Sequence, residues 1–484
     1  MLDNMQERIL SGFAWQSLTK FFVQTFSWVS TILVVRILSP ADYGIVALSG
    51  LFTGLLMVIA EVGLGQGLIQ KKQVSVETED GIFVFSMLLG ILTYALLYQL
   101  APYIAEYYEV DILTDMLRLG GLGLILTVIR TVPFSRCMRE MDFRYRSIVE
   151  LVRNFLGMLT VLILAYSGYG VWSLMWGFVI NRIADATLFL VKFDRLPRLK
   201  FNWTEISSVL EFGYKLMFAT IMNFFSGKAD AFFIARYLSE SILGYYSMAM
   251  QLATMPLDKI GSIFTQVAFP AFSRMQDDLP TSRKFYLDTH KYLLAITYPM
   301  FAGLALIAED LIVLVMTDKW SFSTPILQIL CVINLLRISV ILISPVLLAR
   351  GHAGKILIFT TISTLSLSFG FFVGAQYSIH HVLLAWLVIY PLLYLGITIV
   401  CLNELEVKLG EYLGSMKSAC IATLLMVLTI HSFREAVALE AGLIRLTADI
   451  LVGGLSYTAV YFLLFKGEIE EIKYGLRKLF RKES

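Results

Sequence analysis

The chain has 484 residues, of which 57% are hydrophobic and only 16% charged, and its mean hydropathy is +0.73. Average soluble proteins carry about 25% charged residues, so this composition excludes a water-soluble domain. The formal net charge of +2 selects no partner, because the sum hides where the charges lie; no nucleic-acid partner is expected.

A helix needs about 20 apolar residues to cross roughly 30 Å of hydrocarbon. About fourteen such runs occur. They lie near 10–38, 43–69, 81–104, 117–135, 148–167, 169–193, 212–236, 241–269, 291–316, 325–349, 356–377, 382–402, 417–433 and 443–465. The first is longer than a signal-peptide core and lacks a small-residue cleavage signature, so it is expected to stay as a spanning helix. The second ends in GLGQG, Gly63 to Gly67. Inside an apolar helix this string reads as close packing or a helix break, not as a phosphate loop. Trp172, Trp203, Trp320, Tyr107 and Tyr108 fall near run ends and are expected in an interfacial belt. Cys137, Cys331, Cys401 and Cys420 are far apart and form neither a disulfide framework nor a metal motif. The five histidines show no ligand or triad spacing, and no catalytic or metal constellation stands out.

Cytoplasmic loops retain Lys and Arg, so the loop charges set orientation. Alternate loops on one side, together with the two ends, hold about 25 such residues against about 4 on the other. Arg8, Arg195 and six basic residues from Lys466 to Lys482 belong to the rich side. Both termini are therefore expected in the cytoplasm, with an even number of helices.

The string RILSPADYG, Arg36 to Gly44, ends the first run, and RYLSESILG, Arg236 to Gly244, ends the seventh. They match at Arg, Leu, Ser and Gly at an offset of 200, which reads as an internal repeat. Six helices separate the copies, so the repeat is parallel, about an axis along the membrane normal. The fold class is therefore an all-α integral membrane protein with six-helix lobes at 1–200 and 201–402, plus two more helices and a basic tail at 403–484.

Charges at bilayer depth cost about 2.5 to 3.5 kcal/mol each, so they mark a bundle interior or an aqueous path. Lys20, Glu61, Arg153, Arg182, Asp185, Lys215, Lys228, Asp230, Asp258, Lys259, Arg337 and Asp449 lie there. Local pairing, such as Arg182 with Asp185 three residues on, accounts for part of the set, and Lys215 is expected to snorkel to the interface. Lys20, Arg153, Arg182, Lys228 and Arg337 remain as candidates for a cationic cavity that binds an anionic substrate such as a diphosphate. Glu61 and Asp230 are candidates for taking up H⁺ or Na⁺ as a coupling ion; no cofactor is otherwise expected.

The strings LVVRILSPADYGIVALS, EVGLGQGLIQKK, REMDFRYRSIVELV and DAFFIARYLSESILGYYSMAMQLATMPLDKIGSIFTQVAFPAFSRMQDD resemble those of oligosaccharide flippases. Those flippases form the polysaccharide transporter branch of the multidrug/oligosaccharidyl-lipid/polysaccharide superfamily, and the similarity is to their colanic-acid-type (WzxC-like) subgroup. It covers about residues 10 to 400. It implies a V-shaped pair of lobes that alternate between inward-open and outward-open forms in a bacterial cytoplasmic membrane. It also implies undecaprenyl-diphosphate-linked repeat units as cargo, membrane lipids around the chain, and polymerase and assembly proteins as partners in exopolysaccharide, capsule or O-antigen synthesis. Only the Arg36, Arg236 and Asp230 blocks match by motif; the five candidate cations rest on depth and charge.

Two other functions compete. A drug/cation antiporter of the same superfamily would want a carboxylate-rich cavity, for which Glu61, Asp230 and Asp449 speak. A membrane polymerase or ligase would carry a large outer loop with catalytic side chains, whereas the outer loops here are mostly under about 15 residues. The chain is expected not to be an enzyme.

Overall fold

The computed structural model of the chain describes residues 2–192, 198 and 200–468. Arg195, the Arg8 side chain and the tail from residue 469 onward lie outside them. The first helices are α1 (Leu2–Ile37), α2 (Pro40–Glu61), α3 (Leu64–Gln70), α4 (Val76–Tyr108), α5 (Leu113–Arg139), α6 (Phe143–Tyr166) and α7 (Val171–Lys192). Next come α8 (Trp203–Tyr237), α9 (Glu240–Arg274), α10 (Leu279–Leu306), α11 (Ala308–Met316), α12 (Ser323–Ser339) and α13 (Ile343–Ala349). The last are α14 (Ala353–Ala375), α15 (Ile379–Glu404), α16 (Leu409–Val437) and α17 (Leu443–Leu464). No strand occurs among the described residues.

When the interrupted pairs α2–α3, α10–α11 and α12–α13 are each taken as one segment, these helices coincide with the expected runs. Among the described residues, ten segments are long and apolar enough to cross a membrane, eleven if α10 and α11, bent by 65°, form one span. The other three are α1, α8 and α9. In α1 the apolar stretch is the short Phe22–Ile37, while Lys215, Lys228 and Asp230 interrupt α8, and Asp258 and Lys259 interrupt α9.

The repeated motif has a physical reason at three of its four matching positions, the Arg, the Ser and the Gly. Arg36 and Arg236 sit in the last turns of α1 and α8, where a cation complements the helix dipole. Ser39 Oγ accepts the Asp42 amide at 3.2 Å, and Asp42 accepts the Ser39 amide at 2.8 Å, closing a capping box in front of Pro40. Ser239 Oγ accepts the Ile242 amide at the start of α9 in the same way. Gly44 and Gly244 allow a reciprocal backbone contact. A Cβ on Gly44 would stand 1.8 Å from the Glu240 carbonyl oxygen, and one on Gly244 would stand 1.8 Å from that of Pro40. Residue pairs 40/240 and 44/244 carry the repeat offset, so the contact has the self-complementary pattern of a local two-fold.

Contacts divide the chain into two compact units, Met1–Gly244 and Tyr245–Ser484. In the first, α4 packs on α5, α6 on α1 and α7, and α5 on α2 and α7, with α8 against α2, α3 and α4. Val62 and Gly63 both have positive φ (44° and 61°), which breaks α2 from α3. The break lies so close to α8 that a Cβ on Gly213 would be 2.3 Å from the Val62 carbonyl oxygen. The GLGQG string thus serves both purposes expected of it, a helix break and close packing.

The second unit is built on Leu293, Leu294, Phe301, Ile338, Val346, Leu347 and Cys401, all buried. Helices α16 and α17 are joined to it by ions. Arg434 pairs with buried Asp449 at 2.6 Å and donates to the Leu306 carbonyl at 2.9 Å. The bend after α10 leaves end-of-helix carbonyls in need of donors, and Arg434 supplies one. Arg445 pairs with Asp310 at 2.7 Å, and the Gly442 amide donates to Asp310 at 3.1 Å. One aromatic departs from expectation: Trp320 is fully buried, edge-on to Tyr245 at 5.9 Å, and does not belong to an interfacial belt. Its backbone lies at a helix end, but tertiary packing covers the ring.

Candidate functional site

Antiparallel helices α6 and α7 cross where neither carries a side chain. A Cβ on Gly157 would lie 3.0 Å from the Gly177 carbonyl oxygen, and one on Gly177 would lie 3.0 Å from that of Gly157. One turn from each glycine the approach brings Arg153 to Asn181. Arg153 Nη1 donates to Asn181 Oδ1 at 3.4 Å, while Asn181 Nδ2 donates back to the Arg153 carbonyl and to Asn154 Oδ1, each at 3.1 Å.

Asp185, one turn further along α7, collects two cations. Its Oδ2 is 3.1 Å from Arg130 Nε of α5, and its Oδ1 is 3.7 Å from Arg153 Nε. Arg130 also reaches Glu61 at the end of α2, at 3.6 Å. Arg182 lies over the Phe178 ring at 5.2 Å, and Arg130 over Phe134 at 4.9 Å. Four helices thus bring three guanidiniums and two carboxylates together, a formal excess of one positive charge.

The contacts are ionic rather than well hydrogen-bonded. Arg130 Nε, Arg182 Nε and Asp185 Oδ2 are buried with no aligned partner. Among the described residues the Arg153–Asn181 bond is the one hydrogen bond that these guanidiniums donate to the protein. Each guanidinium carries five donors in a planar fork that matches phosphate or carboxylate oxygens, so the cluster has the donor set and charge to hold an anion.

The candidate residues separate. Arg153, Arg182 and Glu61 meet in this cluster. The Arg182–Asp185 pair expected along one helix face does not form, because Arg130 and Arg153 take the carboxylate from neighbouring helices. Lys20 and Lys228 are exposed, and among the described residues no ion pair or hydrogen bond joins them to the cluster. Lys215 is exposed and paired at 2.9 Å with Glu211, an acid four residues back. Asp230 is buried and accepts the Ala231 amide at 2.7 Å.

Arg337 lies in the second unit. It lines a cavity of about 490 Å³ together with Leu257, Phe269, Ile341, Ser344 and Tyr390. Its Nη1 donates to Asn334 Oδ1 at 3.2 Å and its guanidinium lies over the Trp386 ring at 5.4 Å. Arg130, central to the first cluster, is absent from the deep charges singled out in the sequence. Its position inside the apolar run 117–135 is the signal that could have found it. Asn181 leaves no such signal, because a neutral amide does not register as a buried charge.

A family model described as polysaccharide biosynthesis protein matches residues 33–325. The chain belongs to this family. Its relatives include the teichuronic acid biosynthesis protein TuaB of Bacillus subtilis strain 168, 23% identical over 73% of this chain and 73% of that protein. They also include the lipopolysaccharide biosynthesis protein WzxC of Escherichia coli K12, 24% identical over 69% of this chain and 68% of its own length. The fold is that of the inward-closed lipid II flippase MurJ, with a TM-score of 0.74 and 16% identity over 94% of this chain and 99% of that one. An inward-facing multidrug resistance MATE transporter of the MOP superfamily has a TM-score of 0.62 at 14% identity, covering 79% of this chain and 95% of that chain. This polysaccharide biosynthesis family member is thus an all-α membrane protein with the fold of these two solved structures.

Proposed function

We propose that the chain is a flippase that carries undecaprenyl-diphosphate-linked oligosaccharide units across a bacterial cytoplasmic membrane by alternating access, with both termini in the cytoplasm. The observation that carries this reading is the cluster of Arg130, Arg153 and Arg182 against only Glu61 and Asp185. A diphosphate crossing a bilayer must exchange hydration for fixed donors, and guanidiniums at bilayer depth supply them. The carboxylates temper the site so that the anion can leave again. Membership in the polysaccharide biosynthesis family and the teichuronic acid and lipopolysaccharide relatives support the class of cargo.

Lys20 and Lys228, exposed and without ionic partners among the described residues, act in this reading as way-stations along the path, and Arg337 as a separate contact. Glu61, held by Arg130 at 3.6 Å, and the buried Asp230 remain the two coupling candidates in this reading. Units delivered by the flippase would pass to polymerase and assembly proteins outside the membrane. The antiporter reading loses two of its three acids to arginines, Glu61 to Arg130 and Asp449 to Arg434.

The test is translocation. Purified chain in vesicles loaded on one leaflet with a lipid-linked oligosaccharide should expose the sugar on the other leaflet. A deletion strain should accumulate complete lipid-linked units on the cytoplasmic face. Unpolymerised units on the outer face of that strain would instead indicate an enzyme and reject the proposal.

A further inference from the structure

The cavity beside Arg337 lies within the second unit and combines two chemistries. Its walls are mainly apolar, with Leu257 and Phe269 from α9, Ile341 from the α12–α13 break and Tyr390 from α15. Its one charged lining group is Arg337, which has no carboxylate within ion-pairing distance among the described residues. The cation is nevertheless held in place. Asn334, which accepts from it, is itself fixed by donating to the Ala253 carbonyl at 2.8 Å, and Trp386 under the guanidinium donates to the Tyr246 hydroxyl at 3.1 Å.

An arginine kept at bilayer depth without a counter-charge is costly, and a bound anion relieves that cost. The backbone adds a second sign. The interruption between α12 and α13 forms part of the wall, and irregular backbone at membrane depth is tolerated where it lines a cavity. The volume of about 490 Å³ lies within the range of small-molecule sites, roughly 300–1,000 Å³. The rim is exposed at Phe269 and Leu348, near Arg274 at the end of α9 and Arg350 just after α13.

We infer that this cavity is a binding site for the lipid-proximal end of a polyprenyl diphosphate, with the phosphate on Arg337 and the first isoprenoid carbons on the apolar wall. The inference rests on the flippase reading and deepens it. A free inorganic anion could use Arg337 but would leave the apolar wall idle, so the occupant is an amphiphile.

The experiment measures equilibrium binding of farnesyl diphosphate, inorganic diphosphate and farnesol to the purified full-length chain, in wild type, Arg337→Gln and Ser344→Phe. Ser344 is an exposed lining residue, so Phe fills the cavity without displacing packed core. A charge-assisted bond to phosphate predicts that Arg337→Gln weakens farnesyl diphosphate by about ten-fold or more. Ser344→Phe should weaken it comparably while leaving inorganic diphosphate unchanged, and wild type should prefer farnesyl diphosphate to either fragment. Should Arg337→Gln fail to fold, Ser344→Phe decides alone. Unchanged farnesyl diphosphate binding in the folded variants overturns the inference, as does inorganic diphosphate binding equally tightly. If wild type translocates lipid-linked oligosaccharide in vesicles yet these variants bind normally, the site falls and the flippase reading stands. If the variants weaken binding but wild type translocates nothing, the reading falls and the site stands.

Discussion

Replacing Arg153 with Ala separates transport from architecture, because Asp185 has a second cation. At an effective dielectric of about 20, charges 3.1 and 3.7 Å apart attract by about 5 and about 4.5 kcal/mol before dehydration is counted. Dehydrating each ion costs several kcal/mol, so the net worth of either contact is far smaller. Deleting Arg153 leaves Asp185 paired with Arg130, the nearer of the two, and removes one hydrogen bond to Asn181. The expected loss of stability is therefore about 1 kcal/mol, small enough for normal insertion. Transport should suffer more. Losing charge-assisted bonds to a diphosphate removes about 1.5–3 kcal/mol, or roughly 10- to 150-fold in export rate. Lys at position 153 should restore export only in part, since an ammonium cannot grip phosphate with a planar fork. Arg130→Ala should behave differently, lowering protein abundance as well, because it strips the nearer partner from Asp185 and the partner of Glu61. The assay is polymer export at matched membrane levels. Wild-type export by Arg153→Ala would refute the cationic-site argument.

Gly44→Ala and Gly244→Ala should each destabilise the purified chain by about 1–3 kcal/mol through overpacking, read as a lower thermal midpoint, because the new methyl meets a carbonyl oxygen at 1.8 Å. Gly50→Ala, with nothing within 4 Å, is the neutral control. Asp449→Ala should destabilise by about 3–5 kcal/mol by stranding Arg434, measured as loss of folded protein in detergent, and exchanging the two charges should recover part of it. A reporter fused after Ser484 should be active only on the cytoplasmic side, and activity only outside would reverse the orientation. Translocation in vesicles should slow when H⁺ and Na⁺ gradients are collapsed, and Asp230→Asn should abolish that dependence; a rate indifferent to both gradients would remove ion coupling.

The sequence by itself determined the class of molecule and the positions of its helices, because both follow from local rules. A run long enough to span hydrocarbon has little alternative to helix, so each apolar run corresponds to a helix or an interrupted pair. Ser39 and Pro40 announce the start of α2 in the chain itself. The repeat was legible too, although the reason for its glycines was not, since the contact between residues 40–44 and 240–244 joins segments 200 positions apart. The candidate site was legible only in part. Depth and charge find Arg153, Arg182 and Glu61, and they could have found Arg130. Which acid serves which arginine depends on how four helices pack, and spacing along α7 suggested Arg182 for Asp185 where the fold supplies Arg130 and Arg153. Likewise, Asp449 reads from the chain as an acid in the membrane, and only the packing of α16 against α17 beside the α10 bend shows it to be the partner of Arg434. A buried charge takes its meaning from the nearest opposite charge in space, and in a bundle of helices that neighbour is seldom the nearest in sequence.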